Sequence, residues 1–268
     1  MAAERVRTGS SVGRLAALVG AYGRRVLPAV LDQHREGSVS SALGVWLLLA
    51  ACASAAQGSD RAALEEALGC SAEDAAGLLA AFMAAPPPAL EAALAVWVAV
   101  DDATVELASW EQRLPRQVES GSMPSQAEAD AWAERETLGL IRNFPLEIDE
   151  LTRIVLASAL ATKVSWEVPF GVVPAAEHLG RSSPWRSSLA RLLWDGRPDE
   201  RAMIARTGSA GVVAVQVAVA REDLTVVSVS GAPEVDRASV LAGAYEVAAA
   251  VGGDGDWGRL ACSLYDLP

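Results

Sequence analysis

Between Ala42 and Ala56 the chain is apolar almost without interruption, reading Ala-Leu-Gly-Val-Trp-Leu-Leu-Leu-Ala-Ala-Cys-Ala-Ser-Ala-Ala. A helix with no wet face has to be enclosed on every side. The run is shorter than the roughly 18 to 20 residues that cross a bilayer, so the enclosing medium is the rest of the protein. Ser40 and Ser41 offer caps at its start, and Gln57 and Gly58 stop it. The chain has the material to surround such a helix: 51% of its 268 residues are hydrophobic and 21% charged. That content is far above what a disordered chain carries.

Helical spacing is visible on both sides of this run. Leu15, Leu18, Val19, Tyr22, Val26 and Val30 place an amphipathic helix over Val12 to Leu31, with Pro28 near its end. Gln33 to Ser38 reads as a polar connection. Ser59 or Asp60 opens a short helix ending near Leu68 and Gly69, and Ser71 opens another that reaches Met83 before Pro86, Pro87 and Pro88. The pattern then changes. Ala93 to Val100 and Arg153 to Leu160 read as strands, with helical stretches at Leu107 to Leu114 and Ala127 to Ile141 between them, and a break at Gly121, Ser122 and Pro124. Signals weaken after Phe170. Val212 to Val219 and Leu224 to Ser230 form a candidate hairpin, followed by a helix over Val235 to Ala250. Gly252, Gly253, Gly255 and Gly258 make a loop, and Leu260 to Leu267 starts a further strand. Helices first and strands later give an α+β fold.

Charge and side-chain inventory exclude several functions. The formal net charge is −12, which argues against nucleic acid and against an anionic membrane surface. Arg181, Arg186, Arg191 and Arg197 are read as a solvated basic stretch. Cys52, Cys70 and Cys262 form no CxxC pair, and with only His34 and His178 available a zinc site is not expected. The odd cysteine count favours a reducing compartment. Met1 to Ser11 shows no secretory signal, so the expected location is the cytoplasm. No phosphate-cradling glycine loop follows a strand: Gly252-Gly253-Asp254-Gly255 has no Lys and follows a helical stretch. The Gly-x-Ser-x-Gly element is absent. Carboxylate pairs such as Asp101-Asp102 and Glu65-Glu66 are read as surface charges. No cofactor and no enzymatic activity are expected.

Three stretches resemble signatures of one family, the serpins. Ser41-Ala42-Leu43-Gly44, an apolar helix, then Ala55-Ala56-Gln57-Gly58 is similar to S-P-L-S, long helix, G-A-x-G. Asp130-Ala131-Trp132 followed by Thr137-Leu138-Gly139-Leu140-Ile141 is similar to N-x-W-V-x-x-x-T-x-G-x-I. Leu156-Ala157-Ser158-Ala159-Leu160, Lys163, and Trp166-Glu167-Val168-Pro169-Phe170 resemble L-V-N-A-x-x-F-K-G-x-W-x-x-P-F. Their order and separations match as well, and the likeness covers Val12 to Phe170. The chain thus resembles the N-terminal part of a serpin, of the bacterial kind. The resemblance implies one α+β domain over 1–268, best matched over 1–170 and more weakly over 171–268, with helices packed over a large central sheet and a hairpin region toward the C-terminus.

The resemblance also implies a site. Ser41, Gly44 and Ser158 fall where serpins have the shutter, the place at which the main sheet parts to admit the protein's own loop. Trp166, Phe170, Trp132 and Thr137 fall at packing positions, Trp166 at the top of that sheet. Several motif residues differ: Ala42 and Gly44 replace Pro and Ser, Asp130 and Ser158 replace Asn, and Thr162 replaces Phe. Ser41 and Ser158 are expected to keep a smaller hydrogen-bonded network, to which Gly44 contributes no side chain. Serpins inhibit serine proteases by inserting a bait loop as a strand. No hinge or bait segment is recognisable in these residues; Ala248, Ala249 and Ala250 after Glu246 read as helix. The expected function is a serine protease inhibitor scaffold, with a non-inhibitory protein accepting a peptide strand as the alternative. The expected partners are a serine protease, a peptide strand or a C-terminal segment of the same polypeptide. The assignment further asks that Trp132 and Trp166 share one body and that a broad sheet lie beneath the first helices.

Overall fold

A computed structural model describes residues 2–33, 39–99, 104–194, 202–252 and 261–262. The chain divides into two compact units, Met1–Lys163 and Val164–Pro268. The first contains helices α1 (Ala2–Gln33), α2 (Ala42–Ala53), α3 (Gly58–Leu68), α4 (Ala72–Ala84), α5 (Val105–Glu111) and α6 (Gln126–Glu136). Its strands are β1 (Glu91–Val98), β2 (Val118–Ser122) and β3 (Ile154–Ala161). They form one sheet in the order β2-β1-β3, with β2 parallel and β3 antiparallel to β1.

Strand β1 organises this unit. Ala93 through Val98 are all buried, because both faces of the strand are covered. Leu94, Val96 and Val98 point into a core shared with α1, α2 and α4. Ala93, Ala95 and Trp97 point into a second core with Ala129, Trp132 and Ala133 of α6 and with Val155, Ala157 and Ala159 of β3. A strand covered twice reads as a continuous apolar run, which is how Ala93 to Val100 reads in the sequence. Helix α2 is enclosed over most of its surface, with Trp46, Leu47, Ala50, Ala51 and Ala53 buried, while Val45 is exposed. Two indoles seal it. Trp46 Nε1 donates to Leu68 O at 3.2 Å, and Trp110 Nε1 donates to Ala51 O at 2.9 Å. Ser41, Ser71 and Ser125 each cap a helix through the side-chain oxygen, and Ser125 with Glu128 completes a capping box. Gly69, with φ +73°, ends α3 in the left-handed conformation that glycine adopts without strain.

The second unit holds two small sheets. Strands β4 (Gly171–Pro174) and β5 (Arg191–Trp194) pair with each other, and a four-stranded sheet runs β8-β7-β6-β9. Its strands are β6 (Ala202–Thr207), β7 (Gly211–Val219), β8 (Thr225–Gly231) and β9 (Ala261–Cys262). The expected hairpin is β7–β8, paired from Val213↔Gly231 to Val219↔Thr225. A short helix, α7 (Ala175–His178), follows β4, and α8 (Arg237–Gly252) packs on the four-stranded sheet. Four strands have no counterpart in the sequence reading. β2 occupies the segment read there as a break, and β4, β5 and β6 are short strands held by their neighbours. The helix expected to reach Ile141 ends at Glu136, and the one expected to reach Ala56 ends at Ala53. The expected connection at 34–38, the pair Asp101-Asp102 and the glycine loop beyond Gly252 lie outside the described residues, as do His34, Arg197 and all but 261–262 of the expected last strand.

Among the described residues no single helix is long and apolar enough to cross a membrane, and no group of three or more His, Cys, Asp or Glu is placed to hold a metal ion. Cys52 and Cys70 are free thiols. Burial pushes both thiols up.

Helix α8 is fastened to the β6–β7 turn by one carboxylate. Glu246 accepts from Gly208 N at 2.7 Å, from Ser209 N at 3.0 Å and from Ser209 Oγ at 2.6 Å. The Ser209 hydroxyl, with the two backbone N–H groups, holds this carboxyl below its usual range. A lowered folded value means the clasp contributes fully above the ordinary carboxylate range, and that contribution is lost as pH falls through the folded value. Glu246→Gln is expected to destabilise the protein by about 1–2 kcal/mol near neutral pH. In urea titrations the gap between variant and wild type should close in acid; a gap independent of pH would rule the clasp out.

Candidate functional site

The N-terminus of α2 meets β3 through very small residues. Ser158 and Leu160 lie on the α2 face of β3, opposite the buried Val155, Ala157 and Ala159. A Cβ added to Gly44 would lie 2.6 Å from Ser158 Oγ and 3.4 Å from Ser158 Cβ and Leu160 Cδ1. The missing side chain at position 44 is therefore what lets the helix settle on the strand. Ser41 Oγ accepts from Gly44 N at 3.1 Å, as the cap of α2. No hydrogen bond joins Ser41 to Ser158 among the described residues. The two serines thus do not form the expected network: one hydroxyl caps a helix, and the other stands against a glycine. Shape holds this contact together.

On the opposite face, Trp97, Trp132 and Phe144 form an edge-to-face triad with centroids 5.3 to 6.1 Å apart. Such pairs add about 0.5–1.5 kcal/mol each beyond burial. Thr137 closes α6. It is 1% exposed, its Oγ1 donates to Ala133 O at 2.6 Å and accepts from Ile141 N at 2.9 Å. Leu138 and Gly139 follow with φ of 56° and 78°, and Gly139 N returns to Glu134 O at 2.8 Å. The motif Thr-x-Gly-x-Ile is thus a helix stop: one hydroxyl serves two backbone groups while the chain reverses through left-handed residues.

The sequence motif includes Asp130 but not Gln126, and it does not show that the two deliver Phe144 to this triad. Asp130 Oδ1 accepts from Phe144 N at 2.8 Å and from Gln126 Nε2 at 3.1 Å. Gln126 Oε1 accepts from Ile148 N at 2.9 Å, and its amide donates to Leu146 O at 3.3 Å. One turn of α6 thereby clamps the loop from Phe144 to Ile148. The available signal was the i, i+4 spacing of two polar residues on the helix that bears Trp132.

Trp166 and Phe170 lie in the second unit. Trp166 bridges to Ala220 at the end of β7, with Glu167 N donating to Val219 O and Arg221 N to Ser165 O, both at 3.0 Å. Its ring meets Phe170 edge-on at 5.6 Å. With Ser165, Pro169, Leu193 and Arg221 the pair lines an open cavity of about 540 Å³. Of the seven expected residues, Ser41, Gly44 and Ser158 converge on the α2–β3 contact, Trp132 and Thr137 on α6, and Trp166 and Phe170 on the margin of β7.

Residues 19–177, more than half of the chain, match the family model described as serpin (serine protease inhibitor). The chain belongs to the serpin family. Solved serpins also resemble it in fold. The thermophilic serpin tengpin in its latent state matches with a TM-score of 0.59 at 16% identity, over 82% of this chain and 61% of that one. Manduca sexta serpin-12 gives 0.62 at 14%, over 84% and 66%. Human thyroxine-binding globulin gives 0.67 at 11%, over 94% and 70%. At such identities the likeness is one of fold. The chain spans less than two thirds of the length of the first two. A sequence search of curated proteins finds no match. Trp132 and Trp166 fall on either side of the division at Lys163 and Val164, so the demand that they share one body is not met. It is that demand which gives way, because the family match runs continuously through the division.

Two substitutions test the packing of this serpin. In wild type, Gly44→Ala is expected to cost about 1 kcal/mol net, overpacking of about 1–3 kcal/mol outweighing about 1 kcal/mol of helix propensity. In a Ser158→Ala background the same change should become stabilising; equal effects in both backgrounds would show that the residues do not press on each other. Asp130→Ala should cost about 1–3 kcal/mol and weaken the near-ultraviolet dichroism of the aromatic triad, because Phe144 N loses its acceptor. Asp130→Asn keeps the acceptor oxygen and should stay close to wild type.

Proposed function

We propose that this serpin is a scaffold for inhibition of a serine protease, its first sheet taking up an additional strand along β3. The observation carrying this reading is the outer edge of β3. That strand pairs with β1 along its whole length, from Glu91↔Ala161 to Val98↔Ile154, and no described strand lies on its other side. Its buried residues alternate regularly, so an incoming strand meets a pleated, half-covered surface with free backbone groups. The shape-held contact between Gly44 and Ser158 supports the same reading: a strand that meets its covering helix through small side chains shifts without breaking buried hydrogen bonds. The inhibited enzyme supplies the chemistry, and this chain acts by binding and rearrangement, in the cytoplasm. The inserted strand is a segment of the same polypeptide.

The open edge of β3 favours a second reading equally well, in which the protein inhibits nothing and accepts a peptide strand from a partner. The two separate in one set of measurements on the intact natural polypeptide, whose mass is determined first. Inhibition predicts an SDS-stable complex with at least one member of a serine protease panel, and a rise in melting temperature after limited cleavage. Strand acceptance predicts neither, but a rise in melting temperature on adding an Ala/Thr-rich peptide. No complex and an unchanged melt under both treatments would overturn the two readings together.

A further inference from the structure

The open cavity of about 540 Å³ in the second unit is lined by Ser165, Trp166, Pro169, Phe170, Leu193 and Arg221. Its volume falls in the range of small-molecule sites, which combine apolar and aromatic walls with a few polar groups. All six residues lie within Val164–Pro268, so the cavity belongs to one body. Trp166 and Phe170 stand edge-on, 5.6 Å apart at 85°, and each is half-buried. Leu193 is 67% exposed, and Val172, its partner directly across the β4–β5 ladder, is exposed as well. The apolar wall of the cavity therefore continues onto one face of that ribbon.

The polar side of the cavity is built on a braced turn. Ala220 N donates to Leu224 O at 2.8 Å and Arg221 N to Ser165 O at 3.0 Å, and Asp223 sits in the turn between β7 and β8 with φ of 60°. Ser165 N in return donates to Glu222 Oε2 at 3.0 Å. These bonds fix the backbone on either side of Arg221 and direct the neighbouring carboxylate to Ser165. The Arg221 side chain has neither an ion pair nor a hydrogen bond among the described residues. No carboxylate of a described residue lines the cavity. In a chain of net charge −12, the one charged residue lining it among those described is thus a cation, and its charge is uncommitted.

We propose that this cavity binds a small aromatic carboxylate. A planar ring meets Trp166 and Phe170 together, face to one and edge to the other, because those two rings are set nearly at right angles. The body of the ligand covers Pro169 and the exposed Leu193. Its carboxylate pairs with Arg221, whose guanidinium fork matches two carboxylate oxygens at once. A neutral ring forgoes that pair, and a cationic one meets Arg221 as a like charge. The bracing of the turn by Ser165 and Glu222 sets the position of Arg221 before the ligand arrives, which lowers the ordering cost of binding. Strand β3 belongs to the first unit, so this site is separate from the edge to which strand uptake is assigned.

Naphthalene-2-carboxylate is the probe, titrated into the 268-residue chain and followed by calorimetry and by indole ¹H–¹⁵N resonances. Saturable binding is expected, with the indole signal of Trp166 shifted. Naphthalene-2-carboxamide keeps the ring, removes the charge, and should bind about five- to ten-fold more weakly. In Arg221→Met the carboxylate should weaken to the level of the carboxamide, whose own affinity stays as in wild type. Leu193→Glu sets a like charge beside the ligand at a position already exposed, and should abolish binding of the carboxylate while the melting temperature holds. Both variants should match wild type in the protease panel, so failure of this site leaves the inhibition reading intact. Equal affinity for carboxylate and carboxamide in wild type, undiminished carboxylate binding in Arg221→Met, shifts confined to other indoles, or no saturable binding would each overturn the proposal.

Discussion

Everything in the first unit depends on β1 being covered on both faces. A strand with one wet face needs a single layer of partners, whereas a strand buried on both demands two. One layer is built from α2 with α1 and α4, the other from α6 with the Trp97–Trp132–Phe144 triad. The helix that serves the first layer must itself be enclosed, which is why α2 carries no polar face, why its own Trp46 donates outward to Leu68 O of α3, and why the indole of Trp110 reaches its Ala51 carbonyl. The all-apolar helix and the all-buried strand are two consequences of one arrangement.

That arrangement limits how far α2 and β3 stand apart. Where serpin motifs place a serine and an asparagine, this chain has Gly44 and Ser158, smaller at both positions. Shrinking both partners of a contact draws the elements together, and the 2.6 Å approach of a hypothetical Cβ to Ser158 Oγ records how close they come. The exchange replaces directional bonds with fit. A hydrogen-bonded shutter resists sliding until its bonds break, about 1 kcal/mol net for each; a contact of small groups offers a lower barrier and less register.

The elements legible in the sequence were those whose own residues carry the pattern. Helix α2, strands β1 and β3 and the β7–β8 hairpin are long enough for periodicity or burial to show. Strand β2 was not legible, because Val118-Glu119-Ser120-Gly121-Ser122 has the composition of a turn, and its extended form comes from the ladder along β1. Strands β4 and β5 are four residues each, short enough for tertiary pairing to decide them. Of the site, the motifs located Thr137, Trp132 and the contact of Gly44 with Ser158. They included Asp130 without its role and left out Gln126; the partners of both are backbone groups of a loop 14 to 22 residues away. Nor did they suggest the hold of Glu246 on a turn 37 to 38 residues distant. Side chain-to-backbone bonds over such separations leave no spacing rule in the chain.

The two edges of the first sheet solve one problem differently. An exposed strand edge invites any extended segment, and proteins blunt it with short strands and charges. Strand β3 is long and regular, protected by neither device. Strand β2 has both: it is short, and the Glu119–Arg135 pair stands beside it. Those features suppress indiscriminate pairing along β2, and nothing comparable stands along β3 among the described residues.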